Sequence, residues 1–333
     1  MSEADRGVPP SLRLRRLRRT EELRRSLSET ELDPARLVYP VFVRPGGGAP
    51  EPIESLPGID RHPLEGLGDR AREWSRDGVR AVLLFGVPRV KDPEGSGAVD
   101  PDGLIPQAIR RIRQSVPTLR ILTDVCLCAY TDHGQCGLLR DGEVDNDTTV
   151  ERLGRMALVH ARAGADIVAP SAMMDHQVRG IRAALDRAGL TATAILAYAA
   201  KFASPLYGPF REAAGSAPKS GDRRSYQLPI GNAREALREM AADAAEGADL
   251  LMVKPGLPYL DILARARRRF DLPLVAYQVS GEYAMIRAAA ARGWIDEAAV
   301  IDESLLAMRR AGADWIITYF AREVAARARR ADR

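Results

Sequence analysis

From residue 37 onward, short apolar, often β-branched runs alternate with longer amphipathic stretches, and this alternation constrains the fold more than any other feature of the chain. Eight candidate strands emerge, at Leu37–Val43, Arg80–Gly86, Arg120–Cys128, Asp166–Ser171, Thr193–Tyr198, Asp249–Lys254, Leu274–Ser280 and Trp315–Tyr319. Helical patterns lie between them, near residues 64–77, 104–115, 147–163, 175–188, 232–246, 259–270, 283–292 and 296–311. The strand runs are almost continuously apolar, as parallel strands covered on both faces are. Eight βα units in roughly 290 residues is the arithmetic of an α/β TIM (β/α)8 barrel, whose active site sits at the C-terminal strand ends. The alternative is a doubly wound sheet, but no G-x-G-x-x-G follows the first strand, and Gly46, Gly47 and Gly48 lie in a Pro-rich loop that reads as a turn. Residues 37–333 are therefore expected to form the barrel and residues 1–36 an extended N-terminal arm. Two long loops, 129–146 and 199–231, interrupt the alternation where lids or binding loops are expected.

The arm is where the charge lies. Of a formal net charge of +4, residues 11–25 (SLRLRRLRRTEELRR) contribute +5 through seven Arg and two Glu. Leu12, Leu14, Leu17 and Leu23 are interleaved with these arginines and no aromatic residue accompanies them, so the stretch reads as a segment packing on a neighbouring subunit, without nucleic acid or membrane as partner. A basic-armed RNA-binding module is the contrasting reading; it predicts steeply salt-dependent binding and leaves the cysteines and lysines unexplained. No window approaches 18 consecutive apolar residues and the first residues lack the apolar run of a secretory signal, so a cytoplasmic protein is expected.

Cys126, Cys128 and Cys136 fall within LTDVCLCAYTDHGQCG, an odd, clustered set that does not suit a disulfide framework. Asp124, Cys126 and Cys128 occupy alternate positions of one predicted strand end and so share a face. Cys136 can fold back through Gly134 and Gly137. Three thiolates suit Zn²⁺, and the lack of a fourth cysteine leaves a coordination position open for chemistry. Three buried free thiols, or a closed structural site completed by His133, are the alternatives.

Of the 49 basic residues only four are lysines, Lys91, Lys201, Lys219 and Lys254. Where Arg supplies nearly all positive charge, each amine is a candidate for chemistry a guanidinium cannot perform, above all a Schiff base. Lys254 ends the strand in GADLLMVKPGLPY and Lys201 follows strand five in AYAAKFASPLYGPFR, which places both at the barrel mouth. Two ammonium groups about 5 Å apart at an effective dielectric near 20 repel by roughly 3 kcal/mol, or about two pKa units. One amine is then partly neutral near pH 7 and able to attack a ketone. Lys91 and Lys219 lie in loops and read as surface or lid charges.

These motifs resemble those of a known family. GADLLMVKPGLPY resembles the active-site lysine motif of the porphobilinogen synthases, also called 5-aminolevulinate dehydratases, and TDVCLCAYTDHGQCG resembles their zinc-binding form. VAPSAMMD, AKFASPLYGPFREAAGSAPKSGDRRSYQLP, AYQVSGEYAMI and ADWIITYFA match as well. The resemblance implies a TIM barrel whose N-terminal arms wrap neighbouring barrels in a homo-octamer. It implies condensation of two 5-aminolevulinate molecules to the pyrrole porphobilinogen with loss of water, an early step of tetrapyrrole and haem synthesis. On this resemblance Lys254 forms the Schiff base with the first substrate, Lys201 holds the second, and Cys126, Cys128 and Cys136 bind zinc. Asp124 and Ser171 position the first amino group and assist proton transfer. Ser280 and Tyr319 grip the first carboxylate, while Arg211, Arg223 and Gln227 clamp the second under the lid aromatics Phe210 and Tyr207. Arg224 is an alternative to Arg223. Glu239 matches a glutamate through which some members bind an allosteric Mg²⁺. The chain departs from the family in reading MMDH where MMDG is usual, which puts His176 at a position expected to be small, and in carrying Pro205 and Pro218 in the lid. The competing enzyme reading is a class I aldolase-like barrel using Lys254 beside a structural zinc, and the missing phosphate loop argues against it.

Overall fold

The computed structural model describes residues 12–331. Its chain divides into two compact units after Glu31, so residues 1–11 of the expected arm lie outside the described residues and the expected boundary after residue 36 falls inside the second unit. The first unit carries a 3-10 turn, Leu14–Arg18, and helix α1, Glu21–Ser26. The Thr20 hydroxyl caps α1 by accepting from the Leu23 N–H at 3.2 Å. Leu12, Leu14, Leu17, Leu23 and Leu27 are all exposed.

The second unit opens with a 3-10 turn, Pro34–Arg36, that the Asp33 carboxylate caps. Eight parallel strands follow: β1 Leu37–Arg44, β2 Ala81–Gly86, β3 Arg120–Val125, β4 Ile167–Pro170, β5 Ala194–Lys201, β6 Leu250–Lys254, β7 Leu274–Gln278 and β8 Trp315–Thr318. Each pairs with the next, and β8 returns to β1 through Ile316 opposite Leu37, which closes the barrel. Burial is nearly complete along every strand, which explains the unbroken apolar runs in the sequence. The principal helices are α2 Leu67–Asp77, α3 Leu104–Ser115, α4 Asn146–Ala163, α5 Gln177–Arg187, α6 Gly208–Ala213, α7 Ala233–Ala245, α8 Leu260–Arg267, α9 Ser280–Ala290, α10 Glu297–Ala311 and α11 Ala321–Ala331. The (β/α)8 expectation therefore holds. Among the described residues no helix is long and apolar enough to cross a membrane.

The departures from the expected boundaries concentrate at the mouth. Strand β3 stops at Val125 rather than Cys128, because the amides of Tyr130 and Thr131 both turn back to the Leu127 carbonyl. Strand β5 runs three residues past the expected end at Tyr198, to Lys201. Its register against β6 shifts between the partners of Leu251 and Val253, a bulge of one residue. Strands β7 and β8 end before Ser280 and Tyr319; Ser280 instead opens α9. Besides α1 in the first unit, two helices of the second unit went unforeseen. Short α6 lies inside the long fifth loop, and α11, AREVAARARRA, buries a face built largely from alanine that gives little hydrophobic signal. The third loop also holds a small hairpin, Leu139–Arg140 against Glu143–Val144, turning on Asp141 and Gly142, both at positive φ.

At the start of α9 the chain comes very close to the fifth loop. A Cβ on Gly281 would stand 2.6 Å from the Leu206 carbonyl oxygen and 2.8 Å from its Cα, both backbone atoms. Gly281→Ala is therefore expected to destabilise the fold by about 1–3 kcal/mol, measured as the shift in denaturant midpoint. An unchanged midpoint would contradict the close packing.

Candidate active site

Closure of the barrel sets Lys201 and Lys254 side by side as register partners across β5 and β6. Lys201 stands three residues after Tyr198, which in a regular strand would send the two side chains to opposite faces. The β5 bulge restores them to one face, and both amines lie over the Tyr198 ring, at 5.7 Å for Lys201 and 4.9 Å for Lys254. The Lys254 amine is also close to the rings of Tyr277 (4.3 Å), Phe210 (5.2 Å) and Tyr207 (5.3 Å). Both lysines are buried, and Lys201 donates to the Ser171 carbonyl at 2.5 Å. Burial, reinforced by repulsion from Lys201 and only partly offset by Asp124 and the thiols, pulls the Lys254 ammonium down to about 7. Asp124, in β3 beneath the cysteines, is pushed up to about 6 by burial, against a hydrogen bond from Ser171 and the two lysine charges.

The three cysteines come together although β3 ends before all of them. Their sulfurs all lie within 4.8 Å of one another, with Cys126 and Cys128 at 3.4 Å, and all three are buried. Tetrahedral Zn–S bonds near 2.3 Å place ligand sulfurs roughly 3.8 Å apart. The cluster fits that donor set. Among the described residues no histidine or carboxylate joins it, and His133 instead accepts from the Gln135 amide at 3.1 Å, which counts against a closed four-ligand site. Within the trio, Cys136 is held well below the usual thiol range by hydrogen bonds from Cys126 and Cys128 and by the Arg223 charge, while the same bonds push Cys126 up. One thiolate is thus already favoured, and a cation is needed to hold three.

The fifth loop covers the mouth. Phe210, on α6, packs edge-on to Phe85 and tilted against Phe42, while the Tyr207 hydroxyl donates to the carbonyls of Phe202 (2.8 Å) and Lys254 (3.2 Å). Arg223 is buried and donates to the carbonyls of Gly134, at 2.7 Å, and Ser216. Burial opposes its charge, but the neighbouring thiols more than offset this. Arg224, by contrast, is exposed and paired with Asp222 at 3.2 Å, which separates the two candidates. Buried polar atoms without partners collect here: Asp124 Oδ1, Tyr198 OH, Nε of Arg211 and Arg223, and both amide atoms of Gln227. Each such atom costs about 1–3 kcal/mol unless something polar meets it. The hydroxyls of Tyr277 and Tyr319 lie near one another without a formed hydrogen bond. Ser280 accepts from the Phe210 amide at 3.0 Å, so the start of α9 and the lid meet at that hydroxyl.

Two sequence candidates sit apart from this cluster. Glu239, on α7, lines a cavity of about 790 Å³ with Asp175, Glu235 and Asp243, and the far wall of that cavity includes Arg223 and Gln227. Burial and the neighbouring Asp175 and Glu235 raise Glu239, and burial with Glu246 raises Asp243 to about 8. His176 adopts the left-handed conformation (φ 63°) that glycine takes without strain, and its Nδ1 bonds Glu246 at 2.7 Å. Sequence reasoning missed Tyr198 and Tyr277, two of the four rings around Lys254. Tyr198 was hidden by the bulge, whereas Tyr277 stands in the quoted AYQVSGEYAMI and was legible as the last inward position of β7.

A family model described as delta-aminolevulinic acid dehydratase matches residues 11–327. A delta-aminolevulinic acid dehydratase of Archaeoglobus fulgidus is 52% identical over 316 residues, covering 95% of this chain and 98% of its own length. One from Streptomyces coelicolor is 52% identical over 323 residues, covering 96% and 98%. Among solved structures, the delta-aminolevulinic acid dehydratase (porphobilinogen synthase) of Toxoplasma gondii ME49, in complex with the reaction product porphobilinogen, superposes with a TM-score of 0.92 at 45% identity, covering 95% of this chain and 91% of the other.

The asymmetry between the lysines makes a pH prediction. Reductive trapping of a small keto acid on Lys254 needs its neutral amine, so adduct yield is expected to rise with pH through about 7. In Lys201→Met the like charge is removed at similar volume, and the midpoint is expected to move upward. Mass spectrometry of the Lys254 peptide measures both, and an unmoved midpoint would show that Lys201 does not tune the neighbouring amine.

Proposed function

The chain belongs to the delta-aminolevulinic acid dehydratase (porphobilinogen synthase) family of enzymes, and from that membership we propose that it condenses two molecules of 5-aminolevulinate to porphobilinogen with loss of water. The observation that carries the reading is the pair of buried, register-matched lysines opening onto three convergent thiols. Lys254, neutralised by burial and by Lys201, attacks the ketone of the first substrate; loss of water leaves an imine whose positive nitrogen draws electrons from the adjacent carbon. Ser280 and Tyr319 receive the first carboxylate. Asp124, raised to about 6 and hydrogen-bonded to Ser171, is suited to exchange a proton with the first amino group near neutrality. Arg211, Arg223 and Gln227 offer their unpartnered donors to the second carboxylate under Phe210 and Tyr207, and Lys201 holds or covalently binds the second ketone. Cys126, Cys128 and Cys136 would hold Zn²⁺, which when bound supplies an open position that polarises the second substrate's carbonyl or meets its amine.

The remaining parts of the proposal concern assembly. The exposed leucines among the arginines of the arm suit a contact with another copy, in a homo-octamer without nucleic acid or membrane as partner. The crowded carboxyls of Asp175, Glu235, Glu239 and Asp243 suit an allosteric Mg²⁺, whose charge would relieve their mutual repulsion. A cytoplasmic location keeps the three thiols reduced.

Incubation with 5-aminolevulinate, zinc and reductant is expected to give a pyrrole colour that chelation abolishes, and absence of pyrrole would overturn the proposal. Arg223→Ala is expected to raise the half-saturating substrate concentration roughly thirtyfold, while Arg224→Ala stays near the parent value. Equal effects would return Arg224 to the clamp.

A further inference from the structure

Lys91 is one of the two lysines that the proposed chemistry leaves without a role. It sits in the loop after β2, and the neighbouring Asp92 is stitched to the cysteine loop by backbone bonds, from Asp92 N–H to the Tyr130 carbonyl (3.3 Å) and from Asp132 N–H to the Asp92 carbonyl (3.2 Å). Its own amine donates at 2.5 Å to the carbonyl of Gly215, just past the end of α6. From the opposite side Arg61, in the short strand Asp60–Pro63 paired with β1, donates to the carbonyls of Ala213 (2.7 Å) and Glu212 (2.8 Å). Helix α6 is six residues long, and two cations, one from a short strand and one from a loop, thus take three of the carbonyls at its C-terminal end. Neither cation has a carboxylate in ion-pair contact among the described residues, so their bonds go to this segment instead.

What α6 carries gives these bonds their consequence. Phe210 covers Lys254, and Arg211 holds an unpartnered buried Nε at the mouth. Beneath the helix, the cavity bounded by Asp124, Cys126, Cys128, Phe210 and Ala214 measures about 10 Å³, close to the volume that one water-sized probe fills. That space beside the thiols is too small for a second substrate's carbonyl while Phe210 and Ala214 bound it, so a carbonyl reaching the thiols needs α6 to shift, and a segment that shifts needs contacts that hold it once closed.

We propose that Arg61 and Lys91 form a latch, positioning residues that hold α6 and its Arg211 in the closed arrangement on which capture of the second substrate depends. The inference rests on the reaction proposed above and adds two residues that touch neither substrate. Charge-assisted bonds to carbonyls suit the task, since they are strong enough to favour closure and exchange readily for water when the segment opens.

The test uses the full-length, zinc-loaded enzyme in three forms: parent, Arg61→Met/Lys91→Met, and Lys91→Arg. In the double variant, borohydride trapping of 5-aminolevulinate on Lys254 is expected to persist. The half-saturating concentration for pyrrole formation should rise about tenfold, and amide hydrogen exchange should quicken in residues 208–227 with the strands unchanged. Lys91→Arg, which keeps a cation of similar reach, should stay near the parent. Unchanged half-saturation, or loss of Lys254 trapping together with faster exchange throughout the barrel, would overturn the latch. If the parent itself formed no pyrrole, the proposed reaction would fail, and the exchange of residues 208–227 would still decide whether the two side chains hold the segment.

Discussion

The site depends on one unfavourable juxtaposition, two lysine amines placed opposite each other in the dry interior of a closed barrel. In water, two ammonium groups separate or hydrate; here the hydrogen-bonded register of β5 and β6 forbids the first, and ring faces from Tyr198, Tyr207, Phe210 and Tyr277 prevent the second around Lys254. Attraction of a cation to those rings is worth about 0.5–2 kcal/mol, too little to restore what burial removes. The Ser171 carbonyl breaks the symmetry by accepting from Lys201. Lys254 is left with aromatic faces and becomes the amine that loses its proton near neutral pH. A barrel stabilised by all its other strand contacts can sustain this pair, and the strain is confined to the face where chemistry occurs.

The eight-unit architecture was legible because each strand is buried on both faces and therefore writes an apolar run into the sequence. Lys254 was legible for the same reason, as a polar residue ending such a run. Lys201 was less so: counting alternate positions from Tyr198 gives the wrong face, and only the bulge corrects it. A bulge is set by how two strands meet, which a local pattern does not encode. The cysteines illustrate a different limit. Their spacing suggested one shared strand face, yet β3 has ended before Cys126, and the sulfurs converge through a turn. The right cluster was reached with the wrong local geometry. The carboxylate side needed tertiary contacts altogether, since Arg223 and Arg224 are neighbours in sequence and only the fold turns one to the thiols and the other to solvent.

Scarcity of lysine proved a better guide than the individual assignments made from it. Lys201 and Lys254 lie where the proposed reaction requires an amine. Lys91 donates to one lid carbonyl, and Arg61 uses its fork on two adjacent carbonyls on the other side. Lys219 fixes its loop only through its backbone N–H, to the His133 carbonyl, and its ammonium has no role apparent in the structure.

Lid position and lysine acidity are consequently one problem. Two of the four rings around the Lys254 amine, Tyr207 and Phe210, belong to the fifth loop, and Phe210 also bounds the narrow space beside the thiols. On the proposed latch, lifting α6 would let water reach the amine, weaken the burial that depresses its pKa and favour the ammonium form. Closure reverses this, dehydrating Lys254 as it brings Arg211 into place. An amine neutralised in part by a movable wall would be most nucleophilic once the substrate is enclosed, with the fixed rings of Tyr198 and Tyr277 keeping the rest of its surroundings dry. Activation of the nucleophile and exclusion of water then arise from a single motion, with the barrel supplying the fixed register of the lysines and the lid supplying the remainder of their dry surroundings.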